Sequence, residues 1–260
     1  MSSTSTSNIL EVANLNVVFK VRHYQQRTLR DRFVSTLRDP VEALLRSPES
    51  LHILKNVRLE MKRGDRLAIL GVNGGGKTTL CRCIAQMIHP TSGSIQIRGS
   101  SRAVFNASVA VIPELTGREN ARLLALLLYP NMSPYELEEV IAEAVQFAEL
   151  GNFIDAPYET YSQGMKARLC LSIATAKSCD LLILDEVYDN TDTFFQEKLR
   201  GRMKTFIEES GAVIFVSHSP ELVKATCNRA IVLHESQIKF DGDVDRALQV
   251  YRFLNHPLEN

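Results

Sequence analysis

The sequence of 260 residues predicts an α/β fold with a mainly parallel sheet flanked by helices. Two continuous apolar runs, Leu181–Leu184 and Ala212–Val216, are typical of strands buried on both faces of such a sheet. A third run, Arg66–Leu70, leads through a glycine-rich loop into a helical stretch. This order of strand, glycine-rich loop and helix is typical of parallel α/β proteins.

The chain begins with a polar tail and continues into β structure. Residues 1–8 are polar and low in complexity, so we expect a flexible tail there. A strand is predicted from Ile9 to Lys20, and apolar residues alternate with charged ones over 57–62, as in a half-buried strand.

The segment between these strands, residues 22–50, is rich in arginine and contains no glycine. Leu29, Phe33 and Leu37 recur every fourth residue, and a second short helix is predicted after Pro40. We therefore expect an amphipathic helical insertion. Two interpretations stay open: a surface helix pair that closes over the core, and a docking surface for a membrane or for partner helices.

The loop from Gly71 to Thr78 has the phosphate-binding spacing G-x-x-x-x-G-K-[ST]. Glycines let the backbone fold around a polyphosphate, and the N-terminus of the next helix adds partial positive charge. We expect Lys77 to reach the β- and γ-phosphates and the Thr78 hydroxyl to coordinate Mg²⁺. An ordinary glycine turn is the simpler alternative, but the flanking strand and helix favour a nucleoside triphosphate site.

The segment from about residue 115 to residue 178 is expected to form a helical subdomain with the signature motif. A capping box begins at Ser133, and the apolar stripe of its helix ends before Gly151. Ser162 and Gly164 precede another helical stretch, where a hydroxyl and backbone N–H groups form a second anion site. One nucleotide does not need two cradles, so we expect this one to face the nucleotide of another subunit.

Polar residues follow two of the predicted buried strands. Asp185 is expected to hold Mg²⁺ or its water shell, and Glu186 to orient and polarise an attacking water. His218 follows the strand 212–216 and precedes a helix capped by Ser219. An acidic pair alone is often part of a solvated turn, and a lone histidine more often has a structural role. The phosphate loop upstream favours the other interpretation, in which these residues and the loop belong to one nucleotide site.

The composition argues against several classes of protein. Thirty basic residues balance thirty acidic ones, so no global field favours nucleic acid or an anionic membrane. The longest apolar run, 123–128, is far shorter than the roughly 20 residues that span a bilayer, and the start of the chain lacks a secretory pattern. Five cysteines without a framework spacing suit a reducing compartment, and Cys81 and Cys83 are interpreted as packing residues.

Four motifs together resemble the nucleotide-binding domain of ABC transporters across nearly the whole chain: Gly71–Thr78, Ser162–Met165, Leu181–Glu186 and Val216–His218. The resemblance implies an ABC-type P-loop NTPase fold, with an antiparallel β subdomain and a helical subdomain, as a single ATP-binding domain over 1–260. It also implies a head-to-tail homodimer in which each ATP lies between one subunit's phosphate loop and the other's signature serine and glycine.

Four further segments resemble the ATPases of bacterial surface-polysaccharide exporters, the group that serves O-antigen, capsule and teichoic acid: 113–120, 161–169, 185–187 and 195–198. The arginine-rich insertion occupies the place of the gate helix described for O-antigen members. The end at Asn260 leaves no room for the carbohydrate-binding domain that some of these members carry.

The resemblance also implies individual roles. Glu186, His218 and Lys77 are expected to be catalytic, with His218 on the γ-phosphate. Asn106 stands where the family usually has glutamine or glutamate in the loop that senses the membrane subunit, and residues 188–192 depart from the group's usual Ala-Val-Gly before aspartate. The expected metal ligands are Thr78, Asp185 and Asn106. The expected nucleotide contacts are Phe19 (stacked on adenine), Gly71, Asn73, Gly74, Gly75, Gly76, Lys77, Thr78, Thr79, Ser162, Gly164 and Asp192 (linking the two sites).

The resemblance thus predicts an ATP-hydrolysing subunit, with ATP and Mg²⁺, on the cytoplasmic face of the bacterial inner membrane. It would act as a homodimer on integral membrane permease subunits that export a lipid-linked glycan, with only indirect contact to the glycan and no nucleic acid. One alternative is a soluble ABC ATPase acting on nucleic acid or ribosomes. Another is a regulatory module without hydrolysis, which the presence of Glu186 and His218 disfavours.

Overall fold

The computed structural model describes residues 8–21, 49–105, 111–185, 193–217 and 219–255. These residues form one six-stranded sheet, one three-stranded sheet and the helices that pack on them. The predicted mainly parallel sheet flanked by helices is therefore confirmed, and so is the separate antiparallel β unit. No helix in the described part of the chain combines the length and the apolar content needed to cross a bilayer.

The described part of the chain contains nine strands. In chain order they are β1 (Leu10–Val21), β2 (Glu49–Met61), β3 (Arg66–Leu70), β4 (Ser92–Ile97), β5 (Ser101–Val104), β6 (Leu181–Asp185), β7 (Ala212–Val216), β8 (Arg229–His234) and β9 (Gln237–Gly242). The large sheet has the order β5-β6-β7-β3-β8-β9, and only its β8–β9 pair is antiparallel. The small sheet has the order β2-β1-β4 and is antiparallel throughout.

Seven α-helices are found among the described residues. They are α1 (Lys77–Ile84), α2 (Gly117–Leu128), α3 (Pro134–Ala148), α4 (Gln163–Ala174), α5 (Thr193–Glu209), α6 (Pro220–Thr226) and α7 (Val244–Asn255). Two 3₁₀ segments, Gly151–Asp155 and Tyr158–Thr160, connect α3 to α4.

The central strands of the large sheet are buried on both faces, which explains their continuous apolar runs. Leu67 and Ile69 of β3 point into a cluster shared with α1 and the small sheet. Ala68 and Leu70 point to the opposite face, into a cluster shared with α4, α5 and α7. Because side chains of a strand alternate between faces, every position of β3 after Arg66 must be apolar.

Helices α2, α3 and α4 pack around a third apolar cluster of their own. Both α2 and α3 begin with complete capping boxes, Thr116 with Glu119 and Ser133 with Glu136. The cap predicted at Ser133 is therefore present. These side chains satisfy backbone N–H groups that the first helical turn leaves without a helical partner.

Two expected boundaries differ from the structure. Asn8 was expected in the tail, but its side chain donates to Glu60 Oε2 at 3.1 Å. Glu49 and Ser50 were expected in the insertion, but they belong to β2, where they pair with Val21 and Lys20 of β1. The remaining parts of the tail and insertion, 1–7 and 22–48, lie outside the described residues.

Candidate functional site

The phosphate loop connects β3 to α1, and its glycines are required by geometry. Gly74 and Gly76 have φ angles of 77° and 97°, a region that other residues rarely occupy. A Cβ on Gly76 would also lie 2.9 Å from the carbonyl oxygen of Ile53 in β2. The loop backbone therefore packs directly against β2, and position 76 has no room for a side chain.

Lys77 is the first residue of α1 and is buried, with 7% of its surface exposed. Its Nζ donates to the carbonyl oxygens of Gly71 at 2.8 Å and Val72 at 3.0 Å. An ammonium group has three donor hydrogens and is strongly attracted to phosphate oxygens. The loop's own carbonyls thus hold this charge at the centre of the cradle.

A cavity of about 510 Å³ opens over the loop and the start of α1. It brings together six of the expected nucleotide contacts and one residue that the sequence did not suggest. Its lining residues are Ile53, Asn73, Gly74, Gly76, Lys77, Thr78 and Thr79. Ile53 was missed because it lies in β2, outside any local motif, and only the close approach of Gly76 brings it to the loop.

Asp185 is the last residue of β6 and is buried, with 6% of its surface exposed. Burial raises the pKa of the Cys81 thiol in α1 well above its usual value; the Asp185 carboxylate raises it further, and the Lys77 ammonium opposes this. The charges of Asp185 and Lys77 are therefore both close enough to act on this one buried thiol. The expected role of Cys81 as a packing residue agrees with its complete burial.

The carboxyl end of β7 also borders the loop. Ser217 lines a small cavity of about 30 Å³ together with Gly71 and Lys77. Ser219, two residues on, caps α6 by accepting from the Leu222 N–H at 3.3 Å. Carboxyl ends of neighbouring parallel strands meet at one edge of a sheet, which is where open α/β sheets bind ligands.

Ser162 and Gly164 lie elsewhere, at the N-terminus of α4. The Ser162 hydroxyl accepts from the Met165 N–H at 3.2 Å, and a Cβ on Gly164 would meet only the Ser162 Oγ, at 3.8 Å. A second cavity of about 330 Å³ covers this helix end; Phe153 and Arg168 also line it. Among the described residues, the two cavities have no lining residue in common.

Phe19 lies in β1 opposite Leu51 of β2 and is 43% exposed. It does not line the cavity over the phosphate loop; Ile53, two residues along β2 from Leu51, does. Four other expected site residues lie outside the described residues: Asn106, Glu186, Asp192 and His218.

Comparisons with known proteins decide the family. The profile of the ABC transporter family matches residues 54–189. The chain belongs to the ABC transporter family. This ABC chain is 37% identical over 185 residues to the O-antigen export system ATP-binding protein RfbE of Yersinia enterocolitica, a match that covers 71% of this chain and 77% of that protein.

A second group of relatives is longer than this ABC chain. The teichoic acids export ATP-binding protein TagH of Bacillus cereus is 34% identical over 232 residues, which are 88% of this chain and 42% of TagH. The chain thus spans less than half the length of this relative. Among solved structures, the ATP-binding cassette MJ0796 bound to ADP and Pi shares the fold, with a TM-score of 0.67, 23% identity and coverage of 90% of this chain and 98% of that one.

The described residues of this ABC chain fit a nucleoside triphosphate with a divalent cation. The loop offers positive-φ backbone and a buried ammonium group, which suit phosphates. Thr78 and Asp185 offer a hydroxyl and a carboxylate, and Mg²⁺ at such sites needs only one or two protein ligands because phosphates supply others. No group of three or more histidine, cysteine or acidic side chains able to hold a metal occurs in the described ranges.

Proposed function

We propose that this chain is the ATP-binding and ATP-hydrolysing subunit of a transporter that exports a lipid-linked surface polysaccharide. The observation that carries the proposal is the separation of the two anion sites. One chain places Lys77 and Thr78 in one cavity and Ser162 and Gly164 in another, with no shared lining residue among those described. Two copies arranged head to tail would bring one cavity of each chain against the other cavity of its partner.

The relatives support the proposed direction of transport and class of cargo. RfbE of Yersinia enterocolitica and RfbB of Klebsiella pneumoniae are named as ATP-binding proteins of O-antigen export systems, and TagH proteins as ATP-binding proteins of teichoic acids export. We therefore assign this chain to the cytoplasmic face of the cell membrane, beside integral permease subunits. Contact with the glycan would be indirect, through those subunits.

The chemistry is attack of water on the γ-phosphorus of ATP. The bond from that phosphorus to the bridging oxygen breaks, which yields ADP and inorganic phosphate. Backbone N–H groups of the loop and Lys77 hold the phosphates, while Glu186 orients and polarises the water. Thr78 and Asp185, with Asn106, would hold Mg²⁺, which neutralises charge on the phosphate oxygens.

The opposite subunit completes the site. Ser162 and the N-terminus of its helix face the γ-phosphate of the partner's ATP, while His218 contacts the same phosphate from the subunit that binds the nucleotide. Asp192 would link the two sites, and Phe19 would stack on the adenine. ATP binding closes the dimer and hydrolysis reopens it, which moves the permease.

The substitution Glu186→Gln tests this assignment. It keeps the size of the side chain but removes the carboxylate that polarises water, so we expect unchanged ATP binding, loss of turnover and a stable ATP-bound dimer. Phosphate release and sedimentation of purified protein measure these outcomes. The control is Glu139→Gln, which changes an exposed residue of α3. Hydrolysis at the parent rate by the Glu186→Gln protein would overturn the assignment.

Copurification separates this proposal from an ATPase acting on nucleic acid or ribosomes. A transporter subunit expressed in its native cell should retain a hydrophobic permease in mild detergent. Recovery of nucleic acid or ribosomes instead of a permease would contradict the proposal.

A further inference from the structure

Helix α4 carries Ser162 and Gly164 at one end, and its other end is held by two arginines from outside the helical cluster. Arg102 of β5 donates from Nη1 to the carbonyl oxygens of Ala174, at 3.4 Å, and Lys177. Arg202 of α5 donates to the carbonyl oxygens of Ser172 at 3.3 Å and Thr175 at 3.2 Å. Two guanidinium groups thus bind carbonyls at the helix C-terminus and just beyond it.

These contacts leave none of the last four carbonyls of α4 without a partner. Those of Ser172 and Ala174 accept from the arginines, that of Ile173 accepts from the Tyr129 hydroxyl at 2.7 Å, and that of Leu171 from the Thr175 hydroxyl at 2.7 Å. A helix end exposes its last carbonyls and carries partial negative charge. Two cations placed there bind the helix by both hydrogen bonding and charge.

Both arginines are largely buried and fixed on further sides. Arg102 is 7% exposed and its guanidinium stacks on the Tyr129 ring at 4.1 Å. The Arg202 side chain is 12% exposed, pairs with both carboxylate oxygens of Glu143 at 2.7 and 2.8 Å, and stacks on the Phe147 ring at 4.1 Å. Each guanidinium group is therefore held in one orientation. Its hydrogen bonds to the carbonyl oxygens can in turn fix the orientation of α4.

Burial of Arg102 carries a desolvation cost that its hydrogen bonds only partly offset. Its buried Nε has no hydrogen-bond partner among the described residues. Buried charged groups are weak sources of stability, because desolvation offsets their attraction, whereas their directional bonds can specify one geometry. The bonds from Nη1 to the two carbonyls fix where the helix end lies relative to β5.

The length of α4 turns a small rotation at this end into a large displacement at the other. The helix has 12 residues, which corresponds to about 18 Å. A tilt of about 6° around its C-terminus would move Ser162 by roughly 2 Å, more than the ~0.5 Å tolerance of a binding constellation. The contacts of Arg102 and Arg202 thus control the position of the signature end of α4, by which we mean the N-terminus that carries Ser162 and Gly164.

The two arginines also come from elements next to other expected site segments. β5 ends at Val104, two residues before Asn106, and α5 begins at Thr193, directly after Asp192. We propose that Arg102 and Arg202 are positioning residues for the composite ATP site: together they orient α4 so that Ser162 and Gly164 reach the nucleotide of a partner subunit. This inference rests on the proposed function, because it requires the ATP-bound dimer.

The test uses the full chain carrying Glu186→Gln as the parent. Arg102→Met and Arg202→Met remove the bonds to α4 but keep similar side-chain bulk. We expect the dissociation constant of the ATP-bound dimer to rise by at least about tenfold, since misplacement of about 1 Å can reduce a site's function by two orders of magnitude. Nucleotide affinity of the monomer should change by less than about twofold, because the phosphate loop is untouched.

Three comparisons keep the outcome unambiguous. Arg122→Met, which removes an exposed ion pair with Glu138 in the same helical cluster, should leave both constants unchanged. Arg102→Lys and Arg202→Lys keep the positive charge but cannot bind two carbonyl oxygens in the way that a guanidinium group does. They should therefore weaken the dimer less than the methionine variants do. If the methionine variants do not fold, the lysine variants decide the test. Measurements are made well below each variant's unfolding temperature.

The possible results separate the two proposals. If the parent forms no dimer with ATP, the proposed function fails, and the inference fails with it. If the parent dimerises and the arginine variants match it within about twofold, or lose monomer affinity to the same degree as dimer affinity, only the positioning role is overturned.

Discussion

The hydroxyl oxygen of Tyr161 occupies the space into which a side chain at Gly117 would extend. A Cβ on Gly117 would lie 1.9 Å from this oxygen, which donates its hydrogen to the Phe153 carbonyl at 2.6 Å. Tyr161 directly precedes Ser162, the residue that caps α4. The first turn of α2 therefore constrains the position of Tyr161, directly before the signature end of α4.

Substitution of Gly117 tests this contact. Gly117→Ala must displace Tyr161, so we expect it to lower the free energy of unfolding by about 2 kcal/mol, the usual range for overpacking. Adding Tyr161→Phe should recover part of the loss, because it removes the atom in closest contact. Urea unfolding followed by circular dichroism measures both effects.

Gly201→Ala is the matched control. Gly201 lies in α5, where a Cβ would meet nothing within 4 Å, so alanine should stabilise the protein by about 0.5–1 kcal/mol. Equal effects of alanine at Gly117 and Gly201 would contradict the proposed contact.

A second prediction compares two glycines of the phosphate loop. Both Gly74 and Gly76 have positive φ angles, but only a Cβ on Gly76 would approach a backbone atom, the Ile53 carbonyl oxygen at 2.9 Å. We expect Gly74→Ala to cost about 1 kcal/mol and Gly76→Ala about 3 kcal/mol in unfolding free energy, since the second adds a clash to the backbone strain. Parallel urea titrations give the order, and a larger loss at Gly74 would refute it.

A third prediction concerns Asn120, which is completely buried in α2. Its Oδ1 accepts from the Ile112 N–H at 2.8 Å, and its Nδ2 donates to the carbonyl oxygens of Ile112, Leu115 and Thr116 at 2.9, 3.2 and 3.1 Å. Asn120→Ala leaves the Ile112 N–H without its partner and removes one of two donors from each of the three carbonyl oxygens, so we expect a loss of about 2 kcal/mol. The exposed Asn131→Ala should change stability by less than about 0.5 kcal/mol, and a similar value at Asn120 would disprove the role of the amide.

A fourth prediction concerns acid stability and Asp180. The Ser100 N–H donates to its Oδ2 at 2.9 Å, and this bond, with help from Arg63, holds the pKa of the carboxyl below its usual value. A carboxyl with a lowered pKa stabilises the fold above its unfolded-state pKa, and this contribution is lost as the pH falls through the folded-state pKa. The Asp180 contribution should therefore disappear in the acid range, below its ordinary pKa of 3.8.

Asp180→Asn is the variant that isolates this carboxyl. Because the site is partly open to solvent, we expect a loss of only about 0.5–1 kcal/mol at neutral pH, which shrinks on acidification. Unfolding free energies of parent and variant over a pH series give the difference, with Glu139→Gln as an exposed control. A difference that is constant with pH would rule out the carboxylate as its source.

The local elements of this protein could be predicted because their signals are local. A strand buried on both faces must be continuously apolar, as in Leu181–Leu184, and a capping side chain stabilises a helix start, as at Ser133. The phosphate loop was recognisable because glycine and lysine occur at fixed spacings along the chain. Its geometry agrees with that pattern, since Gly74 and Gly76 adopt positive φ angles.

Contacts between distant segments could not be predicted in this way. Ile53 borders the phosphate loop only because β2 packs against Gly76, and nothing in the residues around Ile53 marks that approach. The C-terminal boundary of the predicted insertion was wrong by two residues because Glu49 and Ser50 are polar; their strand conformation depends on pairing with β1.

The motifs along the chain were sufficient to indicate an ATP site and a dimer, because each motif places its chemistry within a few consecutive residues. Only the folded chain shows that the phosphate loop and the signature end of α4 border separate cavities, and that Arg102 and Arg202 bind the far end of that helix. Those relationships join residues up to about a hundred positions apart, and side-chain packing, rather than spacing along the chain, decides which of them meet.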